Sequence, residues 1–215
     1  MRKIDQFIAS ELERLFPDAK AALVFHNPFE CLCAVMLSAQ TTDEAVNRVT
    51  PALFAKYPDA FALAQADMKD VENIIRSIGL YHNKAKNIVA MSKILVESYQ
   101  GEVPADKEAV KSLPGVGIKT ANVVCGECFG IPAIAVDTHV SRVAKRLGYA
   151  KEKDSPEIIE AILEKRFPVE MHIRLHHRFI HFGRRICHAQ RPDCSTCPFP
   201  GNCPHFKKTS SIKGK

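Results

Sequence analysis

Four cysteines fall within seventeen residues near the C-terminus: Cys187, six residues, Cys194, two, Cys197, five, then Cys203. Four thiolates so spaced can hold a [4Fe–4S] cluster or a structural zinc, and the short gap lets Cys194 and Cys197 turn back onto one centre. Zinc ribbons usually carry a pair of C-x-x-C motifs, and only one is found in this loop. The loop therefore suits a cubane better, with a Zn(Cys)4 knuckle or a disulfide pair as other readings of the same residues. A clip of this kind orders a loop. It does not by itself name a reaction.

Upstream stands Leu113-Pro114-Gly115-Val116-Gly117-Ile118-Lys119-Thr120-Ala121-Asn122. Ala109, Val110 and Leu113 read as the end of a short helix, which Pro114 stops. Gly115 and Gly117 let the chain turn tightly with bare amides, and a second helix starts near Ile118. Such a hairpin aims backbone N–H groups and a helix N-terminus at one point, which makes an anion or phosphate site. The spacing is not that of a P-loop. Lys119 falls in the first turn of the second helix, where a plain phosphate contact is one reading. The other is a nucleophilic amine, favoured in its neutral form by the helix N-terminus and by partial desolvation. Further on, Asp137 precedes the amphipathic run Val140, Val143, Ala144, Leu147, so it should cap a helix. A carboxylate held this way is rigid enough to steer an amine or to stabilise a developing cation.

LPGVGxKTAN, then Val136-Asp137-Thr138-His139-Val140, then C-x6-C-x2-C-x5-C closely resembles the endonuclease III family of helix-hairpin-helix DNA glycosylases, over essentially the whole chain. Leu37-Ser38-Ala39-Gln40-Thr41-Thr42-Asp43 and Ile78-Gly79-Leu80-Tyr81 with Lys84-Ala85 match as well. The resemblance implies a bifunctional DNA glycosylase/AP lyase acting on double-stranded DNA with an oxidised pyrimidine or an abasic site. It implies Lys119 as Schiff-base nucleophile, Asp137 as its partner, and a [4Fe–4S] cluster on Cys187, Cys194, Cys197 and Cys203. Leu80 would wedge the duplex, Gln40 would fill the vacated space, and the amides of Gly115 and Gly117 would grip phosphate beside a monovalent cation. Arg191, in the cysteine loop, would contact the backbone.

These residues need a scaffold, and the chain reads as helix throughout. Ile4, Phe7, Ile8, Leu12 and Leu15 form a 3.6-residue stripe; so do Val71, Ile74, Ile75, Ile78, and Ile158, Ile159, Ile162, Leu163. No segment alternates as a strand would. The resemblance implies an all-α fold of two lobes flanking a DNA-binding cleft. A six-helix barrel would span 21–131, with the hairpin motif at about 106–128. A discontinuous cluster lobe would join 1–20 to 132–206, with the cysteine loop at 187–203. Residues 207–215 read as a disordered basic tail.

The 215 residues, 46% hydrophobic, can bury one ample core or two small ones. A net charge of +6 favours a polyanionic partner. From Met171 to Pro192 there is no acid, against Arg174, Arg178, Arg184, Arg185, Arg191 and five histidines. That stretch reads as a surface for the DNA backbone, its histidines facing DNA or core. Nothing marks export or a membrane span, and eight cysteines suit a reducing intracellular compartment, a prokaryotic cytoplasm or nucleoid. Cys125 and Cys128 spell C-x-x-C inside the helix after the hairpin, where packing explains them better than redox. A monomer is expected.

Two positions depart from the family pattern. Ile118 stands where a basic residue is expected, which bears on phosphate contact. Lys111 stands where an acid is expected, which bears on a proton relay with Ser38 and Asp43. Other functions for these motifs are a monofunctional mismatch glycosylase, a non-catalytic iron–sulfur DNA-binding module, and a zinc-clipped helical scaffold. Lys119 argues against the first and its pairing with Asp137 against the second.

Overall fold

The structure, a computed structural model, describes residues 1–213, with side chains as far as Thr209. Among the described residues all regular structure is helical. In chain order the helices are α1 Lys3–Leu15, α2 Pro28–Leu37, α3 Asp43–Lys56, α4 Ala60–Ala64, α5 Met68–Ile74, α6 Tyr81–Tyr99, α7 Lys107–Lys111, α8 Ile118–Phe129, α9 Thr138–Arg146, α10 Pro156–Arg166, α11 His172–Arg185 and α12 Pro204–Lys213. The chain divides into two compact units, residues 21–131 and residues 1–20 with 132–215. None of the described helices is long and apolar enough to cross a membrane.

In the unit 21–131, polar side chains set most helix starts. Asn27, Thr42, Asp59, Asp67 and Asp106 each accept an amide from the first turn of α2, α3, α4, α5 and α7. The two helices without a side-chain cap are α6, begun by Leu80, and α8, begun by Gly117. The core gathers Leu32, Cys33 and Leu37 of α2, Val46 and Leu53 of α3, Ile88, Met91 and Leu95 of α6, and Ala121 and Val124 of α8. Each large aliphatic side chain fully buried there contributes roughly 1.5–3 kcal/mol. α8 packs on α2 and α7, so the hairpin is carried on a rigid base.

The other unit has its own core: Ile8, Leu12 and Phe16 of the N-terminal segment with Val140, Val143, Leu163, Leu175, Phe179, Phe182 and Phe199. Asp5, only 1% exposed, accepts from Arg166 at 2.7 and 3.0 Å and from the Tyr149 hydroxyl at 3.2 Å. Two hydrogen bonds and a phenol satisfy a charge that would otherwise be costly to bury. Arg178 of α11 is also buried and pairs with Glu13 of α1 at 2.7 Å.

At the tail expected over 207–215, Pro204 opens α12, which is assigned through Lys213, and the Thr209 hydroxyl donates to the carbonyls of His205 and Phe206; residues 214 and 215 lie outside the described range. One expectation is corrected. The acid-free stretch is only partly surface. Arg178, His172, His176 and His177 are buried on the apolar face of α11, while Arg174, Arg184, Arg185 and Arg191 are exposed. An amphipathic helix sorts like charges onto opposite faces, which a count along the chain cannot see.

Candidate functional site

The hairpin forms where α7 ends. The Ser112 hydroxyl donates to the Ala109 carbonyl at 2.7 Å, and the Val116 amide closes onto Leu113 at 3.1 Å. Gly115 has φ +77°, and a Cβ there would meet the Asn87 side chain at 2.7 Å, so turn and packing both demand glycine. Gly117 opens α8 with an extended backbone and no side-chain cap, and the first turn contains no acid. The first-turn amides of α8 are thus left for an external acceptor. Lys119 is exposed in that turn, so the desolvation expected for it is not supplied here. Lys111 pairs with Glu108 at 3.2 Å and keeps its charge engaged locally.

Asp137 caps α9, accepting the Val140 amide at 2.7 Å while half-buried. Further along α9 two arginines, which sequence reading passed over, hold the start of the cysteine loop. Arg142 donates to the carbonyls of Cys187 (3.0 Å) and Gly183 (2.8 Å) and lies 3.1 Å from His139 Nδ1. Burial lowers the pKa of its guanidinium. Arg146 donates to the carbonyls of His188 (2.6 Å) and Ala189 (2.9 Å) and to Cys187 Sγ at 3.4 Å. Their i, i+4 spacing on the helix that Asp137 opens was the available signal.

All eight cysteines are free thiols, which removes the disulfide reading. Cys187, Cys194, Cys197 and Cys203 together line one small cavity of about 20 Å³, walled by Leu147, Phe182, Ile186 and Phe206. Burial pushes the Cys197 thiol up to about 11 and raises that of Cys194, with the neighbouring sulfurs adding to both shifts. Four thiolates crowded in an apolar site require positive charge at their centre. The Phe199 amide donates to Cys197 Sγ at 3.4 Å, as sulfur ligands of a metal centre commonly receive. Among the described residues no three His, Cys, Asp or Glu side chains are grouped as ligands of a single ion. The four cysteines share that one cavity, and soft thiol donors with apolar neighbours fit an iron–sulfur cluster.

Elsewhere, Cys128 sits against Cys31 rather than pairing with Cys125. Its hydrogen bond and burial hold the Cys31 thiol far above the ordinary range, and the same bond lowers that of Cys128.

The backbone singles out Gln40, Leu80 and Arg191. Among described non-glycine residues, the left-handed conformation is taken by these three and Gln100, at φ +54°, +59°, +49° and +55°. Gln100 is an ordinary helix end, since the next amide, Gly101, returns to the Leu95 carbonyl. Gln40 lies within a turn closed by the Thr41 amide on the Ser38 carbonyl, whereas Leu80 and Arg191 have no such account. Leu80 is a bulky residue at a helix start, where extended backbone is normal, and it is 56% exposed. Gln40 is exposed in the turn after α2. Arg191 is exposed and precedes Pro192, which ordinarily forces its predecessor to be extended. Strain of this sort, about 1–3 kcal/mol per residue, collects at functional sites.

A family model described as HhH-GPD superfamily base excision DNA repair protein matches residues 33–169. Endonuclease III of Bacillus subtilis is 49% identical over 203 residues, covering 94% of this chain and 93% of that one. The chain belongs to the endonuclease III family. Its activity is therefore that of a DNA glycosylase and AP lyase of base excision repair, and the fold is that family's. Two solved endonuclease III structures agree along nearly the full length. A trapped endonuclease III–DNA covalent intermediate has a TM-score of 0.92 and 48% identity, over 98% of this chain and 100% of that one. A non-covalent endonuclease III–DNA complex has a TM-score of 0.94 and 47% identity, over 98% and 99%. Membership in the endonuclease III family implies an iron–sulfur cluster, and the four thiols fit it.

Proposed function

We propose that this chain excises oxidised pyrimidines from double-stranded DNA and then cuts the strand, with Lys119 as the nucleophile. The observation that carries this is a lysine amine exposed in the first turn of an uncapped helix, behind a glycine hairpin, in a chain nearly half identical to an endonuclease III trapped covalently on DNA. The damaged nucleotide leaves the stack, at a cost of about a few kcal/mol that damage reduces. Lys119 Nζ attacks the sugar C1′, the glycosidic bond breaks, and the base departs with the electron pair and a proton. The resulting iminium acidifies the 2′ hydrogen. Its loss expels the 3′ phosphate by β-elimination, and water releases the lysine. Asp137, fixed by its cap, stabilises the cation that develops at C1′ and assists base departure.

The amides of Gly115 and Gly117 hold a phosphate beside the reacting sugar, and a monovalent cation shares that hairpin. Leu80 wedges the duplex and Gln40 fills the space opposite the orphan base. Their left-handed backbones present both side chains outward at a price in local strain. Cys187, Cys194, Cys197 and Cys203 hold a [4Fe–4S] cluster, which supplies a structural crosslink rather than an open coordination site. Around it, Arg146 and the loop's own hydrogen bonds support the turn that carries Arg191 to the DNA backbone. Eight free thiols fit a reducing prokaryotic cytoplasm, where the protein works as a monomer at the nucleoid.

Cyanoborohydride added to protein and a duplex with one thymine glycol tests the mechanism. The wild type forms a covalent adduct, and Lys119→Gln forms none while still binding the duplex. Base release without an adduct would instead make the protein a monofunctional glycosylase.

A further inference from the structure

We propose that Lys84 is a positioning residue whose buried ammonium fastens the Gln40 turn to the helix start bearing Leu80, so that both side chains enter the duplex as one rigid unit. This rests on the reading of Gln40 and Leu80 as the inserting residues. Both belong to the unit 21–131, and both hold a left-handed backbone that their own local sequence does not favour. Something in the surrounding structure must over-determine those conformations.

Lys84 touches both. Its amide donates to the Leu80 carbonyl at 3.0 Å, the bond that starts α6. Its Nζ crosses to the other segment and donates to the Thr41 hydroxyl at 2.6 Å. That hydroxyl lies 3.4 Å from the Ala39 carbonyl, so the residues on either side of Gln40 are tied through one oxygen. The Ser38 carbonyl, receiving the Thr41 amide at 3.1 Å, completes the turn.

The chemistry of the lysine is otherwise hard to understand. Lys84 is 6% exposed, and its ammonium faces a hydroxyl rather than a carboxylate. Burial accordingly lowers its pKa. A methionine would fill the same volume without removing a charge from water. The ammonium therefore does something that stability alone does not reward. A hydrogen bond from a charged donor is short and directional, which suits a strut that must hold two loops in register.

The test uses full-length protein and a duplex in which a tetrahydrofuran abasic analogue faces 2-aminopurine, whose emission reports disturbance of the orphan base. Lys84→Met, Thr41→Val and the double variant are compared with Gln40→Ala and Leu80→Ala. Lys84→Met and Thr41→Val should each bind within about threefold of wild type, lose at least about half of the emission change, and cut an abasic duplex about tenfold more slowly in single turnover. The double variant should be no worse than Lys84→Met, because both substitutions break one hydrogen bond. Emission and rate unchanged in both single variants, with Gln40→Ala and Leu80→Ala impaired, would overturn the strut and leave the inserting residues intact. Additive losses in the double variant would overturn it as well. If Gln40→Ala and Leu80→Ala are themselves silent, the reading beneath the proposal fails, and the strut with it. Should Lys84→Met not fold, Thr41→Val decides alone, since it removes only a turn hydroxyl.

Discussion

Leu80, the residue proposed to wedge the duplex, is badly placed for stability. Its left-handed backbone costs about 1–2 kcal/mol, and with 56% of it exposed its side chain recovers little by burial. Leu80→Gly should therefore leave stability unchanged or raise it by up to about 1 kcal/mol, measured by urea unfolding. The same variant should cut duplex substrate about tenfold more slowly, since no side chain remains to fill the stack. A clear loss of stability would show that Leu80 is structural after all. Asp137 caps α9, and one substitution separates that cap from its proposed catalytic duty. Asparagine caps a helix as well as aspartate does, so Asp137→Asn should unfold within about 0.5 kcal/mol of wild type. Without the charge, base release should fall about 100-fold, read by single-turnover excision. An equal loss of stability and activity would mean that the carboxylate serves the cap alone.

At the scale of elements, the hairpin between α7 and α8 depends on one glycine more than on its neighbours. Gly115→Ala places a methyl at 2.7 Å from Asn87 in a left-handed backbone, whereas Gly117 has open space around it. The expected cost is about 2 kcal/mol, with weakened binding to an abasic duplex. Adding Asn87→Ala should recover roughly half of that stability, because it removes the clash but not the backbone strain. Thermal melts of the two variants check this. The hairpin, the cap at Asp137 and the four clustered cysteines were legible in the sequence because each is a local pattern with a fixed offset. Three features were not. Asp5 finds Arg166 far along the chain, Lys84 finds Thr41 in a separate segment, and Arg178 is swallowed by the core. Those partners depend on which faces meet after folding, and nothing within either segment announces them. The left-handed residues were hidden for a related reason: leucine, glutamine and arginine do not advertise positive φ as glycine does.

For the whole molecule, the net charge of +6 acts as a long-range attraction to polyanions, screened by salt. The slope of log affinity against log salt counts the phosphates engaged. Arg191→Ala should lower that slope by about 1 and weaken binding to all duplexes alike, lesion or none. A loss confined to lesion-bearing duplexes would place Arg191 at the damage rather than on the backbone. The exposed Arg184 and Arg185 are the natural controls, being basic, nearby and outside the cysteine loop.

The order in which the chain leaves the ribosome gives α1 an unusual history. It is synthesised long before its partners: those of Asp5 and Glu13, Arg166 and Arg178, come more than a hundred and fifty residues later. Residues 21–131 possess a complete core in between and can fold while translation continues. The N-terminal helix must wait beside them with Ile8, Leu12 and Phe16 uncovered, for roughly 10 s at ordinary elongation rates. Only after α10 and α11 arrive can its core close, and the cysteines follow later still. The nascent chain is thus most vulnerable to proteases along α1.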